Sequence, residues 1–335
     1  MRVIHVSAYY APAFVYGGPP RSIHGLCRAL RDGGVNAEVF TTDANGEASL
    51  PEPIASSTSY EGVPVRYFAR SWPREPIGSR ALTRALRAAL PGTDLLHIHG
   101  LWNRVVWAAA REARRAGVPY VLSPRGMLEA GALAHHGFRK RVAWTVVERA
   151  TIDGAALLHA TSDAERQTLQ ALRPEADIVC VPNGVDLAPP AARTSPARPV
   201  IAFIGRLHPV KRLDLLVDAF IRVWERGNAA ELVVAGPDEA GLRPALTARA
   251  GSFASAITWL GPVDGAGKSE LLARASALVM CSDSESFGLS AAEAMAAGVP
   301  VVVTRTCGWN ELGREDDCRS HYRTPAVERD WTRRE

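Results

Sequence analysis

The chain has 335 residues, a length at which single hydrophobic cores stop growing, so two domains are expected. Hydrophobic residues make up 47% and aromatic residues 7%, which excludes a disordered or fibrous chain. A formal charge of +4 suits an anionic small ligand or an anionic membrane surface and is too weak to argue for nucleic acid.

The N-terminus, MRVIHVSAYYAP, runs straight into a strand-like segment with no leader pattern, so no signal peptide is read there. Apolar runs predict strands at 2–7, 37–41, 95–99, 120–123, 155–160 and 177–181. Helical periodicity predicts helices at 20–32, 79–90, 105–116, 140–151 and 164–172, the last behind the capping-box pattern Ser162-Asp-Ala-Glu165. DLAPPAARTSPARP (186–199) carries four prolines and reads as a linker. Beyond it, strands are expected at 200–204, 232–235, 257–260, 277–280 and 299–303, with helices starting near Lys211, Leu242, Gly267 and Gly288. Apolar strands alternating with helices imply parallel sheets covered on both faces, with ligands at the strands' carboxyl ends. The fold class is therefore α/β with two doubly wound, Rossmann-like domains facing a central cleft. Their boundaries are 1–185 and 199–318, joined by 186–198. No apolar stretch is long enough to span a bilayer, and Cys27, Cys180, Cys281, Cys307 and Cys318 lack CxxC spacing. Both features suit a reducing, cytoplasmic setting.

Two segments carry the chemistry. After the strand VIAFIG, Arg206 and Lys211 flank a helix start, a ready anion site or, read plainly, a βα turn with two solvated cations. In ESFGLSAAEAMAAGVP (285–300), Glu285 ends a polar loop, Phe287, Gly288 and Leu289 open a helix, and Glu293 stands about one turn inside it. The amides at that helix start favour phosphate, and a carboxylate one turn in can accept both hydroxyls of a ribose. Three decoys are set aside. GAGKS (265–269) lacks the first glycine of a phosphate loop, which would stand at Pro262. Asp283-Ser-Glu285 resembles a metal-binding acidic pair, but cationic side chains already cover an anion there. His135-His136 has no third ligand nearby.

GRLHPVKRLDLLVDAF, ESFGLSAAEAMAAGVPVV and VPNGVD together resemble the retaining GT-B glycosyltransferases of family 4 (group 1). Tyr9-Tyr10-Ala-Pro12, Gly17-Gly18-Pro-Pro-Arg21, His97-Ile-His99-Gly100 and SPRGMLEAGAL (123–133) agree, and the resemblance covers about residues 1–318. It implies a transferase that moves a sugar from a nucleotide-diphosphate sugar to a saccharide or lipid-linked saccharide in bacterial cell-surface polysaccharide assembly, without a metal. By the same resemblance, Arg206 and Lys211 neutralise the diphosphate, Glu293 holds the ribose, and Glu285 lies by the donor sugar. The Phe287–Leu289 backbone meets sugar and phosphate, Gly17 and Gly18 let the N-terminal loop approach the diphosphate, and the base rests near 261–263. Many relatives place a histidine where Arg125 stands. Arg125 is a candidate sugar or acceptor contact, with His99 as the alternative. The strongly charged stretch 319–335 departs from the αβ pattern and is read as a truncated or frame-shifted tail. The competing readings are therefore a catalytically impaired nucleotide-sugar-binding protein and a nucleotide-sugar epimerase. The basic stretch 139–144 is either a contact with the anionic inner membrane or a solvated helix face.

Overall fold

The computed structural model describes residues 1–128, 147–185, 193–194, 196–263 and 265–304. The expected linker core, the basic stretch 139–144, His135-His136, Cys307, Cys318 and the tail 319–335 lie outside the described residues.

The N-terminal half builds one sheet. Its strands are β1 (Arg2–Ser7), β2 (Asn36–Thr42), β5 (Ser59–Tyr60), β6 (Val63–Phe68), β7 (Leu95–His99), β8 (Tyr120–Ser123), β9 (Leu157–Ala160) and β10 (Ile178–Cys180). A small hairpin, β3 (Ala44–Asn45) and β4 (Ala48–Ser49), stands apart from it. The order across the sheet is β10-β9-β8-β7-β1-β2-β6-β5, parallel except for the antiparallel edge strand β5. β1 is buried along almost its whole length, as a strand covered on both faces must be. The helices are α1 (Gly18–Asp32), α2 (Glu52–Ala55), α3 (Arg80–Ala89), α4 (Arg104–Ala116), α5 (Arg149–Asp153) and α6 (Asp163–Leu172). Side-chain caps fix three starts: Ser79 Oγ accepts from Leu82 N, Asn103 Oδ1 from Val106 N and Ser162 Oγ from Glu165 N. The Glu165 carboxylate reaches back to Thr161 N at 2.7 Å, one residue before the cap that the sequence pattern implies.

The C-terminal half carries β11 (Val200–Ile204), β12 (Glu231–Ala235), β13 (Ile257–Gly261), β14 (Ala277–Met280) and β15 (Val301–Val303), all parallel, in the order β13-β12-β11-β14-β15. Its helices are α7 (Leu213–Glu225), α8 (Arg243–Ala250), α9 (Gly265–Arg274) and α10 (Leu289–Ala296). One apolar cluster lies under α9 and α10, around Val233, Leu271, Leu278 and Ala291. A second lies under α7 and α8, around Leu216, Phe220, Val234 and Leu246.

Both sheets reverse direction beside their first strand, β1 against β7 and β11 against β14. Such switch points open a crevice at the strands' carboxyl ends, where ligands bind in open α/β sheets.

Several elements differ from the sequence reading. Pro64 disguises β6, because a proline demotes a short apolar run. The helix expected near Lys211 starts at Leu213, because Pro209–Lys211 form a 3-10 turn and Arg212 takes the left-handed conformation at φ 50°. The helix expected near Gly267 starts at Gly265 and takes in GAGKS, the segment set aside as a phosphate loop.

Candidate active site

The C-terminal switch point brings Arg206 and Glu285 to one edge. Gly205 N donates to Ala235 O at 2.9 Å and Leu207 N to Pro237 O at 2.8 Å, which holds the turn after β11 against the end of β12. Gly236, at φ 146°, fits this junction because a Cβ there would lie 1.8 Å from Gly205 O. Two further contacts tie the Lys211 turn to the loop after β14. Asp283 N donates to Val210 O at 2.8 Å, and Cys281 Sγ donates to Arg212 O at 3.0 Å.

These ties bring Lys211 Nζ against Glu285 Oε2 in an ion pair, each side chain 18% exposed. The second oxygen, Glu285 Oε1, accepts from Gly288 N at 3.2 Å. The sequence reading left that amide facing phosphate; here Glu285 uses it. Gly288 caps α10 in the left-handed conformation, φ 76°, which glycine adopts without strain. Arg206 Nη1 pairs with Glu239 Oε2 at 3.3 Å, a partner the sequence did not single out. Asp283 faces Arg212 Nη1 at 3.0 Å, so the acidic pair of the Asp283-Ser-Glu285 segment is already matched to cations.

Glu293 lies one turn inside α10 and accepts from Lys268 Nζ at 2.6 Å. Lys268 belongs to the GAGKS segment that sequence reasoning discarded as a phosphate loop. The segment is helical, yet its lysine enters the site; the usable signal was a lysine in the first turn of a helix beside the cleft.

The N-terminal loop closes on this region. Gly17, at φ 84°, faces Arg206 Nε, which an added Cβ would meet at 3.4 Å. A Cβ on Gly18 would come within 2.9 Å of Leu289 Cδ1. Both glycines therefore lie beside donor-site candidates. Beside this contact a cavity of about 910 Å³ runs between the halves. Arg21, Arg125 and Asn183 line one wall; Val263, Lys268, Leu289 and Glu293 line the other. Arg206, Lys211 and Glu285 are not among its lining residues. The predicted residues thus fall into two groups that meet at Leu289, Gly17 and Gly18.

The N-terminal switch point holds buried histidines. His159 Nε2 lies 2.9 Å from Val181 O and must carry its proton there, since a carbonyl only accepts. His159 Nδ1 then accepts from Ser123 Oγ, whose oxygen accepts from His97 Nε2, both at 2.7 Å. Arg125 Nη2 donates to His99 Nδ1 at 3.2 Å, so His99 Nε2 donates to His5 Nδ1 at 3.0 Å. Burial, with Arg125 adding to it, lowers His5 to about 3; burial also leads in holding His97, His99 and His159 below the ordinary imidazole range. The four rings are neutral at pH 7. His5, His97 and His99 bring ring nitrogens within 4.8 Å of one another. They fit a metal poorly, because His5 and His99 bond to each other, His97 Nε2 bonds to Ser123 Oγ, and Arg125 sets a positive charge beside His99.

No described helix is long and apolar enough to cross a membrane. The profile described as "Glycosyl transferases group 1" matches residues 198–326, and that described as "Glycosyl transferase 4-like domain" matches residues 17–184. The D-inositol 3-phosphate glycosyltransferase of Kineococcus radiotolerans is 31% identical, over 87% of this chain and 74% of that protein. The phosphatidyl-myo-inositol mannosyltransferase of Mycobacterium leprae is also 31% identical, over 90% and 79%. Among solved structures, Anabaena HepE in complex with UDP and glucose superposes with a TM-score of 0.69, at 20% identity over 94% of this chain and 83% of that one. Sucrose-phosphate synthase from Thermosynechococcus elongatus gives 0.71, at 19% identity over 92% and 82%. These likenesses establish the two-domain GT-B architecture.

Proposed function

This chain belongs to the group 1 glycosyltransferases, and from that premise we propose that it moves a sugar from a nucleotide-diphosphate donor to a saccharide or lipid-linked saccharide, with retention, in cell-surface polysaccharide assembly. The observation that carries this reading is the pairing of Lys211 with Glu285 and of Lys268 with Glu293 on either side of one helix start. In this reading Arg206 and Lys211 receive the diphosphate, and no metal is assigned to it. Cations preorganised where charge gathers on the leaving group lower the barrier without reorganising. Glu293, oriented by Lys268, accepts the ribose hydroxyls through its remaining acceptor capacity. Glu285 positions Lys211 and faces the donor sugar. Gly17 and Gly18 bring backbone toward the diphosphate, and at Gly18 a Cβ would press on Leu289.

Retention by front-face substitution needs no protein nucleophile. The leaving phosphate takes the acceptor proton as the new glycosidic bond forms. His159 and Arg125 line the cleft on the acceptor side, with His99 behind Arg125. The setting is the cytoplasmic face of the inner membrane, where a lipid-linked acceptor would be presented.

A screen of UDP- and GDP-sugars for donor hydrolysis and transfer tests the reading. Nucleoside diphosphate release from at least one donor is expected, with Glu293→Ala raising KM roughly tenfold by removing a ribose contact made in ground and transition states alike. A Glu293→Ala enzyme with wild-type KM for every active donor would refute the ribose assignment.

A further inference from the structure

Arg125 follows β8 in the left-handed conformation, φ 58°, with its residue 8% exposed and its side chain on the interdomain cavity. Its five N–H groups can be counted. Nη1 donates to Asn183 Oδ1 at 2.5 Å and to Ser22 Oγ at 3.3 Å. Nη2 donates once, to His99 Nδ1 at 3.2 Å. Among the described residues the Nε–H has no partner, and one Nη2–H is left over. In a planar guanidinium the Nε–H shares an edge with one of the two Nη2–H groups, and both point the same way. That is the side-on fork that matches the two oxygens of a carboxylate.

Charge leads to the same place. Among the described residues the three partners of Arg125 are an amide, a hydroxyl and a neutral imidazole. Glu165 acts on Arg125 through space, but its oxygens already accept from Gly126 N, Thr161 N and Thr161 Oγ1 at 2.6, 2.7 and 2.9 Å. A buried cation without a bonded counter-ion is costly to hold. One guanidinium among neutral donors and acceptors is matched by a monoanion, which favours a carboxylate over a phosphate dianion.

We propose that the unpaired donors of Arg125 bind the carboxylate of a sugar-acid substrate, so that the enzyme selects a uronic acid. The proposal rests on the donor-and-acceptor cleft assigned above and adds the substrate class. The carboxylate could be carried by the donor sugar or by the acceptor's terminal residue. Asn183 and Ser22 hold Nη1, and His99 holds Nη2, so these three are positioning residues for the fork.

Calorimetric titration of the whole protein tests the donor arm, with UDP-glucuronate against UDP-glucose and GDP-mannuronate against GDP-mannose. The acceptor arm titrates methyl glucuronide against methyl glucoside with UDP and GDP present. A preference of roughly tenfold for the acid is expected in one arm, the worth of a charge-assisted pair. Arg125→Gln should bring that ratio close to one, and Arg125→Lys, which keeps the charge but not the fork, should leave it intermediate. Ratios near one for the wild type in both arms, or a wild-type ratio surviving in Arg125→Gln, would overturn the proposal. Saturation-transfer NMR with free glucuronate and glucose reads the same site without nucleotide. Absent nucleotide binding with an Arg125-dependent glucuronate signal would sink the donor reading and leave the carboxylate site standing.

Discussion

Replacing Lys211 by alanine separates a structural ion pair from a charge that acts on the leaving group. An ammonium has three donors, and one of them goes to Glu285. The remaining two have no assigned partner among the described residues and are free for a diphosphate oxygen. Loss of one preorganised donor to a developing anion costs about 10²–10³ in kcat, or about 2.7–4 kcal/mol. The folded state loses less. Glu285 keeps Gly288 N, and both side chains are 18% exposed, so water replaces part of the lost bond. About 1 kcal/mol of stability is expected, the upper end for a solvent-screened ion pair. That corresponds to a Tm lowered by about 2–4 °C. The assay is nucleoside diphosphate release at saturating donor, alongside thermal unfolding of the same preparation. A kcat within a few-fold of wild type, together with a Tm lowered by several degrees, would refute the role and leave Lys211 as a tether for Glu285. The double variant Lys211→Ala/Glu285→Ala refines the result. A double variant no slower than Lys211→Ala alone means that Glu285 acts through the lysine.

Glu148 should give the protein a pH-dependent stability. It accepts from Trp102 N at 2.5 Å and Trp107 Nε1 at 2.7 Å, yet burial outweighs both bonds and raises its carboxyl to about 7. Between its ordinary 4.5 and about 7 the folded chain holds a proton that the unfolded chain has released. The stabilisation is therefore complete below 4.5 and is lost as pH rises through 7, by up to about 3 kcal/mol. Glu148→Gln should match the wild type at low pH and exceed its Tm increasingly from pH 5 to 8; a Tm difference that does not vary with pH would contradict the assignment. Gly236→Ala should destabilise by about 3 kcal/mol or more, because its Cβ would meet backbone at Gly205 rather than a yielding side chain. A Tm within about 2 °C of wild type would show that β11 and β12 can part at their ends without penalty.

Much of the architecture was legible because parallel strands buried on both faces leave apolar runs, and their helices leave a 3.6-residue period. β6 escaped because Pro64 interrupts its signature, and the start of α7 slipped because Pro209 and a left-handed Arg212 replace its first turn. At the site, Glu285 and Glu293 stood out as acids beside a glycine-led helix start. Their lysines did not stand out equally. Lys211 sat in a conspicuous motif, whereas Lys268 comes from a different helix and reaches Glu293 through packing alone. Asn183 lay in the quoted VPNGVD segment with no role given to it, and only the fold brings it to Arg125. Tertiary pairings of this kind leave no periodic trace along the chain.

The contact of Gly17 and Gly18 with Arg206 and Leu289 bears on how quickly the cleft can unload. Knobs sunk into holes must each change rotamer before two surfaces separate, and every such change adds to the activation barrier. At this point one surface is bare backbone, so no side chain of the loop has to withdraw before the halves part. Whatever slows product departure therefore comes from other positions in the cleft or from the bonds the product itself keeps, and not from side chains at residues 17 and 18.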